Sequence, residues 1–211
     1  MSGDDALLVL GTTNAGKVRE LVELLTPFAI ACRSLADLTG AVEVEETGST
    51  FAENAALKAT LQARALGRWV LAEDSGLVVP ALDGAPGVYS ARYSGPPPAD
   101  DARSTDTRNN ALLLERLRGR DGAGRAAHYA CHAALADPSG RVVAVAEGTC
   151  WGRIAEAGSG AGGFGYDPLF IVTEYHRTFG ELAPAVKTLI SHRGRALRAI
   201  MPALVRHLGG A

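Results

Sequence analysis

Apolar residues recur along this chain with two alternating periods. The run "ALLVL" at Ala6–Leu10 is short and continuous. Val18, Leu21, Val22 and Leu25 follow at the i, i+3, i+4, i+7 spacing of one helical face. "FAIACRS" reads as a second strand, so the chain opens as β-α-β. Thr50-Phe51-Ala52-Glu53 has the spacing of a capping box, in which hydroxyl and carboxylate each accept from the other's backbone N–H. The helix it opens is predicted to run to Ala65–Leu66, ahead of Gly67. "WVLAE" (Trp69–Glu73) predicts a short buried strand that ends in carboxylates. The Gly/Pro-rich passage from Asp83 to Asp101 reads mostly as loop, and "NNALLLERLRG" as a helix. "AAHYACHAALADPSGRVVAVAEGTCWG" reads as a long hairpin turned by "DPSG", with Tyr129, Cys131, Ala133 and Leu135 alternating onto one face. "GSGAGGFGYDP" is a glycine-dense loop entering the strand "LFIV". "SHRGRALRAIMPALVRHL" predicts a terminal helix started by Ser191 and kinked or broken at Pro202. The pattern is that of an α/β chain whose hairpin excludes a purely parallel sheet. With no repeat, linker or composition shift, residues 1–211 read as one domain.

Composition narrows the class. A chain of 211 residues that is 47% hydrophobic can bury a real core. A net charge of −2 offers no general surface for nucleic acid or membrane, and no apolar run reaches membrane-spanning length. The start "MSGDDALLVL" is acidic and lacks the basic region of a signal peptide. Cys32, Cys131 and Cys150 are odd in number and scattered, which fits reduced thiols in a cytosolic protein. A zinc site is not expected, because strand alternation puts Cys131 opposite His128 and His132. The basic residues are 18 Arg and only 3 Lys, so Lys17, Lys58 and Lys187 stand out as places where a compact ammonium is wanted.

The candidate chemistry lies in five motifs. Gly11-Thr12-Thr13-Asn14-Ala15-Gly16-Lys17 matches the opening of a P-loop, but Val18 stands where the magnesium-binding Ser or Thr belongs. The anion logic survives without it. Glycines allow close approach, Thr12, Thr13 and Asn14 add polar groups, and a helix N-terminus favours negative charge by about 0.3–1 kcal/mol. In "EDSG", Glu73 and Asp74 end an apolar strand, where open α/β sheets bind ligands, and adjacent carboxylates suit a hard divalent cation such as Mg²⁺. "VEVEETGSTFAENAALKA" adds Glu45 and Glu46 ahead of a helix carrying Asn54 and Lys58. "GGFGYDP" places Phe164, Tyr166 and Asp167 among glycines, where an aromatic can stack on a base and a carboxylate can accept from ring N–H groups. "SHRG" puts His192 and Arg193 at a helix start just after Lys187. Each motif also has a plainer reading, as a turn, a cap or a solvated face. Jointly they describe a magnesium-dependent nucleoside triphosphate site, with no covalent nucleophile in view.

These blocks resemble the inosine triphosphate pyrophosphatase family, hydrolases of non-standard purine nucleoside triphosphates. "TTNAGKVREL", "EETGSTFAENAALKA", "AEDSGLVVPALDGAPGVYSARYSG", "GGFGYDPLF" and "SHRGRAL" run in family order across nearly the whole chain, and the resemblance to its bacterial branch is close. The resemblance implies a homodimer. It implies an elongated mixed central β-sheet flanked by helices, with a nucleotide cleft between two lobes. It also implies hydrolysis to a monophosphate and pyrophosphate, with water attacking the α-phosphorus. By the same resemblance Thr12, Thr13, Asn14, Ala15, Gly16 and Lys17 hold the phosphates, and Glu46 and Asp74 bind Mg²⁺. Asp74 accepts the water's proton. Lys58 and Ser75 belong to that site, while Phe164, Gly165, Tyr166, Asp167, Lys187, His192 and Arg193 surround the substrate and its base. Donors facing a 6-keto oxygen would meet an amino donor in adenine, so inosine and xanthosine triphosphates are favoured. The chain departs from the family at Val186, where an acidic residue commonly precedes the lysine. Two other readings remain open at this level: a nucleotide sensor without turnover, and a diphosphohydrolase of modified pyrimidines or of an unselective pool.

Overall fold

The computed structural model describes residues 7–209, so the acidic start and Ala6 of the expected first strand lie outside the described residues. Its seven strands form one mixed sheet in the order β2-β1-β3-β4-β5-β6-β7. β1 (Leu8–Leu10) pairs in parallel with β2 (Cys32–Ser34) and β3 (Trp69–Val78), confirming the β-α-β opening around α1 (Ala15–Leu25). β4 (Ala126–Ala136) and β5 (Val142–Ile154) are the long hairpin, and its turn closes on Asp137, whose carboxylate accepts from Ser139 and Arg141. β6 (Phe170–Val172) pairs antiparallel with β5 and with the short β7 (Arg177–Thr178).

Two compact units divide the chain. The first comprises residues up to Asp74, Cys131–Gly148 and the segment from His192 onward. On one face of its sheet α1 and α5 (His192–Leu208) pack Leu21, Leu25, Leu197, Ile200 and Leu204 onto Leu8, Leu10 and Leu71. On the other face α2 (Phe51–Leu66) lays Ala55, Ala59 and Ala63 onto Val9, Val70 and Ala72. These alanines are spaced one helical turn apart, so α2 approaches the strands closely along a single stripe. The capping box forms as read: Thr50 Oγ1 accepts from the Glu53 N–H and Glu53 accepts from the Thr50 N–H. Gly67 closes the helix at φ 61°, in the left-handed region that favours glycine.

The second unit, Ser75–Ala130 with Thr149–Ser191, buries Tyr129, Phe170 and Phe179 against Leu77, Ile154 and Leu169. α3 (Thr105–Arg116) adds Leu113 and Leu117 beyond its end, and α4 (Pro184–Ile190) carries Lys187. Each fully buried Leu or Phe is worth about 1.5–3 kcal/mol relative to exposure.

Three expectations change. β3 does not stop at Glu73 but runs on to Val78. Leu77 and Val79 still have a core to enter, and Gly76 lets the chain pass where a Cβ would strike Ser90 Oγ and the Gly87 carbonyl. Of the two outcomes expected at Pro202 the break does not occur: α5 continues through it, with Pro202 on the exposed side and Met201 and Leu204 anchored in the core. Val22 is exposed rather than on the apolar face of α1, and Leu24 packs toward the core instead.

Candidate active site

The phosphate-grip motif is a βα turn. The Gly11 N–H donates to the Leu71 carbonyl, and a Cβ on Gly11 would sit 2.8 Å from that of Ala72, so only glycine lets the turn cross β3 here. Asn14 caps α1, its Oδ1 accepting from the Lys17 N–H at 3.1 Å, while its own N–H donates to Thr12 Oγ1. Thr13, Asn14 and Ala15 are exposed, and Thr12, Gly16 and Lys17 half-buried. Among the described residues the N–H groups of Ala15 and Gly16 have no partner in the chain, leaving the first turn of α1 open to an anion.

β3 delivers the carboxylates. Successive side chains of a strand leave on opposite faces, so Glu73 goes with Leu71 toward α1 and α5 and Asp74 goes with Ala72 toward α2. Glu73 is 2% exposed. Its Oε1 lies 2.8 Å from Lys17 Nζ and 3.4 Å from Arg193 Nη2, and its Oε2 accepts from the Cys131 thiol at 3.3 Å. Burial would raise its pKa, but the charges of Arg193 and Lys17 outweigh that and hold the carboxyl well below its ordinary range. Arg193 is as deeply buried and also pairs with Glu20 on α1.

Asp74 meets different company. Its Oδ1 is 3.1 Å from Lys58 Nζ and its Oδ2 accepts from Asn54 Nδ2 at 3.2 Å. Lys58 also reaches Glu46 Oε1 at 2.7 Å, so two carboxylates converge on one ammonium. Burial, reinforced by repulsion from Glu46, raises the Asp74 pKa despite the attraction of Lys58 and Lys17. Lys58 is itself raised, since Asp74 and Glu46 outweigh the effect of its own burial. Asn54 Oδ1 accepts from the Gly48 N–H at 2.8 Å, tying the acidic loop before α2 to the helix. Two carboxylate oxygens that can share one small cation, beside a phosphate grip, fit a hard divalent ion that takes oxygen ligands.

In the second unit the aromatic loop is built around Asp167. Its Oδ2 accepts from the Phe164 N–H at 2.8 Å and lies 2.5 Å from Lys187 Nζ. The Lys187 ammonium sits 4.7 Å from the centroid of the Phe164 ring. Tyr166 turns into the core and donates its hydroxyl to the Ser90 carbonyl at 2.9 Å, so it anchors the loop and leaves Phe164 as the half-buried aromatic. Gly165 supplies the left-handed φ of 61° between them. Ser75 begins this unit in β3, and His192, buried, starts α5 in the first.

Sequence reasoning missed Glu20, Cys131, Asp106 and Asn110. Glu20 stood three residues from Lys17 on one helix, a spacing that signals shared company. Cys131 gave no signal, since a thiol on a buried strand reads as core.

A βα turn open to an anion and two carboxylates converging on one lysine in the first unit, with an aromatic loop in the second, fit the class of nucleotide-handling α/β proteins. The chain belongs to the Ham1 family, whose model matches residues 8–203. It is 53% identical over 199 residues, 94% of this chain and 93% of the relative, to a "dITP/XTP pyrophosphatase" of Rhodopirellula baltica. A protein of the same name from an Exiguobacterium species is 50% identical, covering 96% of this chain and 99% of its own. Among solved structures, a HAM1 protein from Coxiella burnetii superposes with a TM-score of 0.82 at 38% identity, covering 95% of this chain and 98% of that one. A "Nucleoside-triphosphatase / dITP/XTP pyrophosphatase" from Mycobacterium abscessus gives 0.71 at 39% identity, over 94% and 99% of the two chains.

Proposed function

We propose that this chain hydrolyses dITP, ITP, XTP and dXTP to the monophosphate and pyrophosphate, clearing non-standard purines from the nucleotide pool. The names borne by its relatives support the reaction class. The single observation that carries the site is the convergence of Glu46 and Asp74 on one cationic centre, at Lys58 Nζ.

Glu46 and Asp74 are the residues suited to hold Mg²⁺, which when bound supplies charge neutralisation for the leaving pyrophosphate. The rest falls to the chain's own groups. Lys17 and the first turn of α1 hold the phosphates, with Thr12, Thr13 and Asn14 as polar neighbours. Lys58 opposes the charge that accumulates as the α–β bond breaks. Asp74 takes the proton of the attacking water, a task made easier by burial and by Glu46, which both raise its basicity. Glu73 faces the other way and serves as the counter-charge of Lys17 and Arg193. Phe164, Lys187 and their loop take the base side, with His192 and Arg193 assigned by the family resemblance. By the same resemblance the enzyme works as a homodimer, and its odd, scattered cysteines fit a reducing cytoplasmic setting.

Product analysis with dITP, XTP, dATP and dGTP, with and without Mg²⁺, tests this reading. Monophosphate and pyrophosphate from dITP and XTP, and little from dATP and dGTP, are expected. Orthophosphate release would move the attack to the γ-phosphorus and refute it.

A further inference from the structure

The aromatic loop of the second unit is held by a helix that none of the assignments above uses. α3 begins at its N-cap Ser104, whose hydroxyl accepts from the Thr107 N–H, and presents Asp106 and Asn110 one turn apart on the same face. Both reach Gly165. Asp106 Oδ2 accepts from the Gly165 N–H at 2.7 Å, and Asn110 Nδ2 donates to the Gly165 carbonyl at 3.0 Å. The two polar groups of one glycine are therefore fixed by two side chains of one helix. The identity of Asn110 matters to this grip, because a carboxylate there would set oxygen against oxygen.

Gly165 is the pivot of the loop. It holds φ 61°, a conformation L side chains rarely adopt, although a Cβ there would meet nothing within 4 Å. Backbone conformation, not crowding, selects glycine at this point. On one side of it Tyr166 is locked into the core by its bond to Ser90, and on the other Phe164 lies beneath Lys187. A rotation at Gly165 would therefore act on the Phe164 side, which Asp167 holds in turn through the Phe164 N–H and carbonyl, so the clamp and Asp167 fix that segment from both ends.

We propose that Asp106 and Asn110 are positioning residues for base recognition: by clamping both backbone groups of Gly165 they set the attitude of the Phe164 ring. This rests on the reading that Phe164 faces the base. The bonds these two side chains make to Gly165 belong to the aromatic loop, so the pair is assigned to affinity and base choice and not to bond cleavage.

Steady-state kinetics of Asp106→Ala, Asn110→Ala and Phe164→Ala with dITP and dGTP test the assignment. Asp106→Ala and Asn110→Ala are each expected to raise KM for dITP about three- to tenfold, the scale of one lost hydrogen bond, and to narrow the dITP-to-dGTP preference, with kcat little changed, while Phe164→Ala, which removes the ring itself, is expected to raise KM at least as far. Asp106→Asn keeps an acceptor and is expected to restore KM. A role confined to the charge at the start of α3 would not be restored that way. Amide exchange of Gly165, followed by NMR, is expected to quicken in Asp106→Ala and not in Asp106→Asn. If Asp106→Ala does not fold, Asn110→Ala carries the test alone. A raised KM in Phe164→Ala with unchanged KM in both clamp variants would overturn the clamp and leave the base reading standing. An unchanged KM in Phe164→Ala would remove the base reading, and this assignment with it. A fall in kcat instead of a rise in KM would also overturn it.

Discussion

Glu73 and Asp74 are consecutive in β3 yet face opposite sides of the sheet, Glu73 toward Lys17, Arg193 and Cys131, Asp74 toward Lys58 and Asn54. Adjacent carboxylates would repel if they shared a surface. The strand's alternation separates them and gives each its own cations. Substituting each of the two is therefore expected to have a different consequence.

Asp74→Asn keeps the shape and an acceptor for Asn54 but removes the proton acceptor. Turnover of dITP is expected to fall by about 10²–10⁴-fold, the usual scale for a general base. The circular dichroism spectrum should stay that of the parent. Turnover within a few-fold of the parent would refute the role.

Glu73→Gln leaves the buried Arg193, which keeps Glu20, and the half-buried Lys17 facing a neutral amide. Breaking a buried pair in this way costs roughly 3–5 kcal/mol, so the loss should show as a lowered urea midpoint. An unchanged midpoint would mean that Glu20 alone suffices for Arg193 and that solvent screens Lys17.

Glu46→Gln halves the carboxylate pair that converges on Lys58. The Mg²⁺ concentration needed for half-maximal turnover is expected to rise at least about tenfold, because hard cations bind through carboxylate oxygens. Removing divalent ions with a chelator should abolish turnover in the parent and in this variant.

Tyr166 links stability to alkaline pH. Burial, aided by the neighbouring Tyr93 and Asp106, holds its phenol well above the ordinary value of 10.0. The folded state keeps a proton that the unfolded state sheds, so the contribution is complete below about pH 10 and is lost as pH rises past it. Between pH 10 and 11 the unfolding free energy of the parent should decline more steeply than that of Tyr166→Phe, by up to about 1.4 kcal/mol per pH unit. Equal slopes would count against the linkage.

Features fixed by local chemistry were legible in the sequence. The cap of α2, its end at Gly67 and the β-α-β opening each depend on residues close together in the chain. What needed three dimensions was missed. The extension of β3 past two carboxylates depends on distant counter-charges, and the passage of α5 through Pro202 depends on which side faces water. Lys58, Lys187 and Asp167 were picked out by residue type and neighbours, but the company each keeps was hidden. So was the difference between Tyr166, whose hydroxyl finds a buried carbonyl, and Phe164, which has none to offer. The clamp of Asp106 and Asn110 gave only a spacing of polar residues that any solvated helix displays.

All three lysines lie against carboxylates, with side chains 17%, 13% and 8% exposed. The outer cationic surface is thus made of arginine. The lysines offer amine-directed reagents almost nothing outside the candidate site. A succinimidyl dye or a glutaraldehyde linkage that reaches a lysine would therefore cost activity, so labels and surface attachment are better directed to an engineered cysteine or tag.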